Sequence, residues 1–288
     1  MKTKSTKSFL RLHGLLGRLP MVSSLHRFVT GRHGSVIPDR ELFGLVFKTP
    51  VGLGADIDRN GEFIDVLADF GFGHICIGPL TSEAQEDDAE IPNKGIRYAI
   101  RRIASLPFSG ILAIDLCCNR GSNTESLIVK DFNTAFSLSY DFADFFILDF
   151  RPSWIRSKTD PTLIANIFDT ILETRLSYDS YKPVLLRLPP ALPYQILDEI
   201  VSYLRLNGVD GLVLSDRDAI SHVRAITKGD FPTIAADLLN DSSEATKLIS
   251  DGADLIEISS AFVNSGGRFL NSIYRNLEQK AQDNNLNQ

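Results

Sequence analysis

After residue 40 the chain repeats one arrangement eight times, a short β-rich apolar run followed by a longer stretch of helical character. The apolar runs fall at 50–55, 74–78, 111–116, 144–150, 184–188, 211–215, 232–236 and 255–259. Most are continuous rather than alternating, as expected of parallel strands covered on both faces. Between them, 61–70, 96–105, 124–142, 161–178, 194–206 and 242–250 carry apolar residues at helical spacing. Ser242-Ser243-Glu244 has the polar and acidic character of a helix start, and Asn207-Gly208 that of a stop. Eight alternations of strand and helix predict a closed (β/α)8 barrel, with a doubly wound open sheet as the competing architecture. At 288 residues the chain has an ordinary length for one such barrel.

The charge is unevenly distributed. Lys2, Lys4, Lys7, Arg11, Arg18, Arg27 and Arg32 precede the first acid, Asp39, so the remainder holds 23 bases against 36 acids. An acidic body argues against nucleic-acid binding. In the leader, Phe9, Leu10, Leu12, Leu15, Leu16 and Leu19 are interleaved with Arg11, His13 and Arg18. Val22, Leu25, Phe28 and Val29 continue the spacing after Pro20. Two short amphipathic helices with a basic polar face are predicted there, either packed on the barrel or lying on an anionic membrane through residues 7–30. The expected division is residues 1–40 as this helical segment, 41–278 as the barrel and 279–288 as a flexible polar tail. No stretch approaches the ~18–20 apolar residues of a membrane span, and a cleaved secretory signal is not expected. A transit peptide stays open on composition. Three cysteines, Cys76, Cys117 and Cys118, are too few for a disulfide framework and suit a reducing cytoplasm. The five histidines show no ligand spacing and are expected to be surface or packing residues.

Three segments carry a family resemblance. Phe43-Gly44-Leu45-Val46-Phe47-Lys48-Thr49-Pro50-Val51-Gly52-Leu53, followed by Gly54-Ala55-Asp56-Ile57-Asp58-Arg59-Asn60-Gly61-Glu62, is similar to GLxFxNPVGLAAGFDKNGE. Leu67-Ala68-Asp69-Phe70-Gly71-Phe72-Gly73-His74-Ile75-Cys76-Ile77-Gly78 is similar to LGFGxxExGT. Asp251-Gly252-Ala253-Asp254-Leu255-Ile256-Glu257-Ile258-Ser259-Ser260-Ala261-Phe262 is similar to AGASLVQxYTALx. These motifs belong to the quinone-dependent dihydroorotate dehydrogenases, which the chain resembles over residues 8–278. The resemblance implies a barrel with FMN across its C-terminal mouth, a serine base, a quinone path between the N-terminal helices, and a cytoplasmic protein peripheral to the inner face of a membrane. It places FMN- and substrate-facing positions at Ala55, Arg59, Asp115, Asp149, Arg187, Ser215, Asp216, Ser259 and Ser260.

The chemistry of that family is not repeated position by position. Its NVSSPNTPGLR motif corresponds to Asp149-Phe150-Arg151-Pro152-Ser153-Trp154-Ile155-Arg156, so the position of the base is Pro152. Ser153, one residue along, is the remaining candidate base, although one step in an extended segment reverses the side chain. Arg187 and Arg59 stand where the family has lysines, and a planar guanidinium is not equivalent to an ammonium. Pro79 replaces a threonine. The glycine-rich IGVGGI loop corresponds to Ile234-Ala235-Ala236-Asp237-Leu238-Leu239, which has no glycine. Cys117-Cys118 stands where the family has Gly-Lys, and a redox role for it is weighed against a pair of buried free thiols.

Five carboxylates, Asp56, Asp115, Asp149, Asp216 and Asp237, are thus predicted near the strand ends beside Arg59, Arg151, Arg187 and Arg217. Asp–Arg pairs can fill the mouth. Alternatively, the arginines hold an anionic small molecule, or Asp115, Asp149 and Asp237 bind a divalent metal. Three functions fit these residues: a non-catalytic paralogue that binds a ligand or an active paralogue; an FMN-dependent dihydroorotate oxidoreductase with a non-standard base; and an enzyme of another class using Asp and Arg at the mouth.

Overall fold

A computed structural model describes residues 37–86, 89–106 and 108–286 of the chain. The predicted leader helices and the proposed contact through residues 7–30 lie outside the described residues. A hairpin of β1 (Arg40–Leu42) and β2 (Leu45–Phe47) comes first. Eight parallel strands follow: β3 (Val51–Leu53), β4 (Ile75–Leu80), β5 (Leu112–Leu116), β6 (Phe145–Asp149), β7 (Val184–Arg187), β8 (Gly211–Leu214), β9 (Thr233–Ala236) and β10 (Leu255–Ile258). They close in sequence order, with β10 pairing β3, into the expected (β/α)8 barrel. Each falls within or overlaps one of the eight apolar runs. Elements not anticipated include the hairpin, the helix Arg217–Thr227 and the helix Gly267–Leu286. That last helix continues through most of the stretch expected as a flexible tail.

Local signals set the helix starts. Asp160 accepts from the backbone N–H groups of Thr162 and Leu163, with Pro161 opening the helix behind it. Thr124 does the same for Leu127. Helix termination uses left-handed residues at Lys228 and Gly252.

Strand alternation sorts the side chains into two cores. Phe146 and Leu148 of β6 face the helices, whereas Phe145 and Ile147 point into the barrel with Cys76, Ala113, Leu185, Val213, Ile234 and Leu255. The hairpin seals the floor. Its Phe43 and Phe47 rings meet Phe145 at centroid distances of 5.5 and 6.2 Å, and Arg40 Nη1 donates to the Asp254 carbonyl. The same period of two carries Asp115, Asp149, Arg187 and Glu257 inward at the upper ends of their strands.

Gly52 makes room inside this stack. A Cβ there would lie 2.0 Å from Cε1 of the His74 ring. Gly52→Ala therefore forces that ring off its seat, and we expect a loss of about 1–3 kcal/mol in chemical denaturation. The His74 imidazole NMR signals should shift with it; unchanged stability and unchanged signals would contradict this packing.

Candidate functional site

Two linked ion networks occupy the upper barrel. The lower one is centred on Arg187, the largest side chain that is fully buried. Its Nη2 donates to Glu257 Oε2 at 2.7 Å, and its Nε lies 2.9 Å from Asp115 Oδ2. Glu257 Oε1 is 3.2 Å from His74 Nε2. The contact to Asp115 is coulombic rather than a directed hydrogen bond, since neither Arg187 Nε nor the Asp115 oxygens have a hydrogen-bond partner. Burial, with the like charge of Asp149 behind it, pushes Asp115 well above the usual carboxylate range despite Arg187. Burial also works against the Glu257 carboxylate, but Arg187 and His74 outweigh it and bring this group down to about 2.

The upper network is centred on Arg151, just past β6. Its Nε reaches both Asp149 oxygens at 3.1 and 3.0 Å, and Nη2 donates to Oδ2 at 2.8 Å. The backbone N–H of Arg151 also donates to Asp149 Oδ1. Nη1 is shared between Asp56 Oδ2 at 3.2 Å and Asp237 Oδ2 at 3.3 Å. Arg59 Nη2 meets the other Asp56 oxygen at 3.2 Å. The second Asp237 oxygen accepts from the Ser259 hydroxyl. Asp237 adopts φ +59°, a left-handed conformation that Asp tolerates better than most residues. Burial raises Asp237 even against these partners. For Asp56 burial acts in the same direction, but Arg151 and Arg59 prevail and lower it.

Above this network opens a cleft of about 360 Å³. Asp56, Arg59, Asp149, Arg151, Pro152 and Asp237 line it, together with Glu90 and Arg156.

No protein-family model matches this chain. The curated quinone-dependent dihydroorotate dehydrogenase of Nitrosospira multiformis is 26% identical across 81% of this chain and 82% of its own length. That of Psychromonas ingrahamii is also 26% identical, over 82% of this chain and 86% of its own. This chain is a divergent homologue of the quinone-dependent dihydroorotate dehydrogenases. The crystal structure of the ligand-free type dihydroorotate dehydrogenase from Eimeria tenella superposes with a TM-score of 0.76. It covers 89% of this chain and 92% of its own at 15% identity, which shows the shared fold.

In this dihydroorotate dehydrogenase homologue the structure gathers some of the expected site residues and disperses others. Arg59, Asp149 and Ser215 line the cleft, and Asp115 and Arg187 lie beneath it in the buried network. Ala55 is buried in the turn just past β3, and Ser259 reaches Asp237. Ser260 is exposed. Asp216, expected at the mouth, instead caps the helix Arg217–Thr227 by accepting from the N–H groups of Asp218 and Ala219. Arg217 turns outward to Glu244 and Asp251. Ser153 is the first residue of the short helix Ser153–Arg156, and its hydroxyl donates to Glu90 at 2.5 Å. Asp115, Asp149 and Asp237 are each turned toward arginines. Among the described residues, no group of three His, Cys, Asp or Glu side chains is placed to hold a metal ion.

Two members of the network escaped the sequence. His74 is buried against Glu257 and is neither a surface residue nor simple packing. Glu257 sits inside the apolar run Leu255–Ile258, and a lone acid in a buried strand was the signal that could have found it. Cys117 and Cys118 are free and buried, and burial pushes the Cys117 thiol well up, away from the reactive thiolate. Among the described residues no helix is long and apolar enough to cross a membrane.

Proposed function

We propose that this chain is a non-catalytic paralogue of the dihydroorotate dehydrogenases, keeping their barrel and acting through binding rather than turnover. The observation that carries this reading is the local geometry after β6. Pro152 lies in the cleft wall where the resemblance calls for a proton acceptor, and a proline ring offers none. The neighbouring hydroxyl of Ser153 is engaged by Glu90, whose other partner is the backbone N–H of the same serine. Asp149, next along the strand, is fully buried and held by the Arg151 side chain through three contacts, so its lone pairs are committed to a cation. A base needs reach to a substrate proton as well as a suitable pKa, and these groups are turned to one another.

The test is direct. Full-length protein supplied with FMN, dihydroorotate and a soluble quinone is expected to form no orotate above the enzyme-free rate. Sustained turnover that disappears in a Ser153→Ala variant would establish the opposite reading, an oxidoreductase with a displaced base.

A further inference from the structure

We infer that the mouth of this barrel excludes FMN because its own carboxylates already hold the guanidinium groups that a phosphate dianion would need, the ion network filling the flavin's place. The inference deepens the non-catalytic reading and rests on it for the assignment of this cleft as the former reaction site.

Binding a phosphate requires N–H donors that are not otherwise committed, supplied by arginines, by backbone turns or by helix starts. Here Arg151 has Nε and Nη2 on Asp149 and Nη1 on Asp56 and Asp237. Arg59 gives Nη2 to Asp56, and Arg187 is buried between Asp115 and Glu257. Three guanidiniums thus face five carboxylates. At the ends of β9 and β10 the Asp237 N–H donates to the Glu257 carbonyl, and the Ser259 hydroxyl to the Asp237 carboxylate. Asp56 and Asp237 keep about a third of their side chains open, 34% and 33%, on the cleft side of Arg151. At the floor of the cleft an incoming dianion meets these two like charges, and such juxtaposition is strongly unfavourable. The cleft, at about 360 Å³, is near the lower end of the ~300–1,000 Å³ usual for ligand pockets.

The protein carries its own reporter. Trp154 is the single tryptophan, two residues past Pro152, with Nε1 donating to the Cys118 carbonyl. Full-length protein from flavin-replete cells is expected to release no flavin on denaturation and to show no saturable Trp154 quenching with FMN up to ~1 mM. Asp56→Asn with Asp237→Asn removes both charges at constant volume and frees Arg151 Nη1. That variant is expected to gain saturable quenching at least ~100-fold tighter than the parent, weakening as salt is added. If the pair does not fold, Asp237→Asn alone serves, because asparagine tolerates the positive φ.

Stoichiometric flavin in the parent would overturn the inference, while absence of orotate formation in the same sample would leave the non-catalytic reading intact. A folded charge-neutralised variant as blind to FMN as the parent would also overturn it, by showing that the carboxylates are not the barrier. Orotate formation by the parent would instead defeat the non-catalytic reading.

Discussion

Arg187→Ala should lower the stability of the barrel by about 3–5 kcal/mol, the cost of stranding buried charges after one partner is removed. Its two partners, Glu257 and Asp115, are as buried as the arginine itself, with side chains 1% and 0% exposed. Water cannot reach the stranded groups without opening the barrel. For a chain of this size each kcal/mol shifts the melting temperature by about 2–4 °C, so calorimetry should resolve the change easily. Arg187→Lys should recover little, because a compact ammonium cannot span Glu257 on one side and Asp115 on the other. Replacing all three by neutral residues of similar volume, Arg187→Met with Glu257→Gln and Asp115→Asn, should recover much of the loss, since the penalty arises from unpaired charge. A melting temperature within a degree or two of the parent for Arg187→Ala would show that the pair is not buried as described.

The second large effect is a dependence on pH that runs in two directions. Glu257 is brought down to about 2 in the fold: burial raises it, and Arg187 and His74 more than reverse that. A depressed carboxylate contributes stability that is present above its ordinary value of 4.5 and is lost as the pH falls through about 2. The contribution is about 3 kcal/mol at ~1.4 kcal/mol per unit. Asp58 behaves oppositely. Burial raises it to about 6, only partly offset by the N–H groups of Phe63 and Glu62 that it accepts. Its protonated form is favoured by the fold, so that stability is fully present below 3.8 and is lost as the pH rises through about 6. Denaturant midpoints measured from pH 2 to 7 should therefore show Glu257→Gln flattening the acid side of the profile. If that variant keeps the parent's slope between pH 4.5 and 2, Glu257 is not the group responsible.

The eight strands were legible because a parallel strand covered on both faces must be a nearly continuous apolar run, and such runs are visible without knowing what they pack against. Their order was equally legible, since right-handed strand–helix–strand connections leave few ways to arrange eight of them. The inward placement of Asp115, Asp149 and Arg187 followed from their positions at strand ends. Partner choice was not legible. Arg187 and Glu257 are 70 residues apart, and Arg151 and Asp56 are 95 apart. Only closure of β10 onto β3 brings such residues around one axis. Asp216 shows the same limit from the other side: strand-end placement suggested the mouth, but the local helix start used its carboxylate first. The partner of Ser153 was hidden as well: the loop carrying Glu90 comes within 2.5 Å of its hydroxyl. The sequence by itself determined the barrel and the charged character of its mouth, because periodicity and strand-end position are local. Tertiary structure alone decided which of those charges pair, because each buried ion takes whichever partner the closed barrel delivers to it.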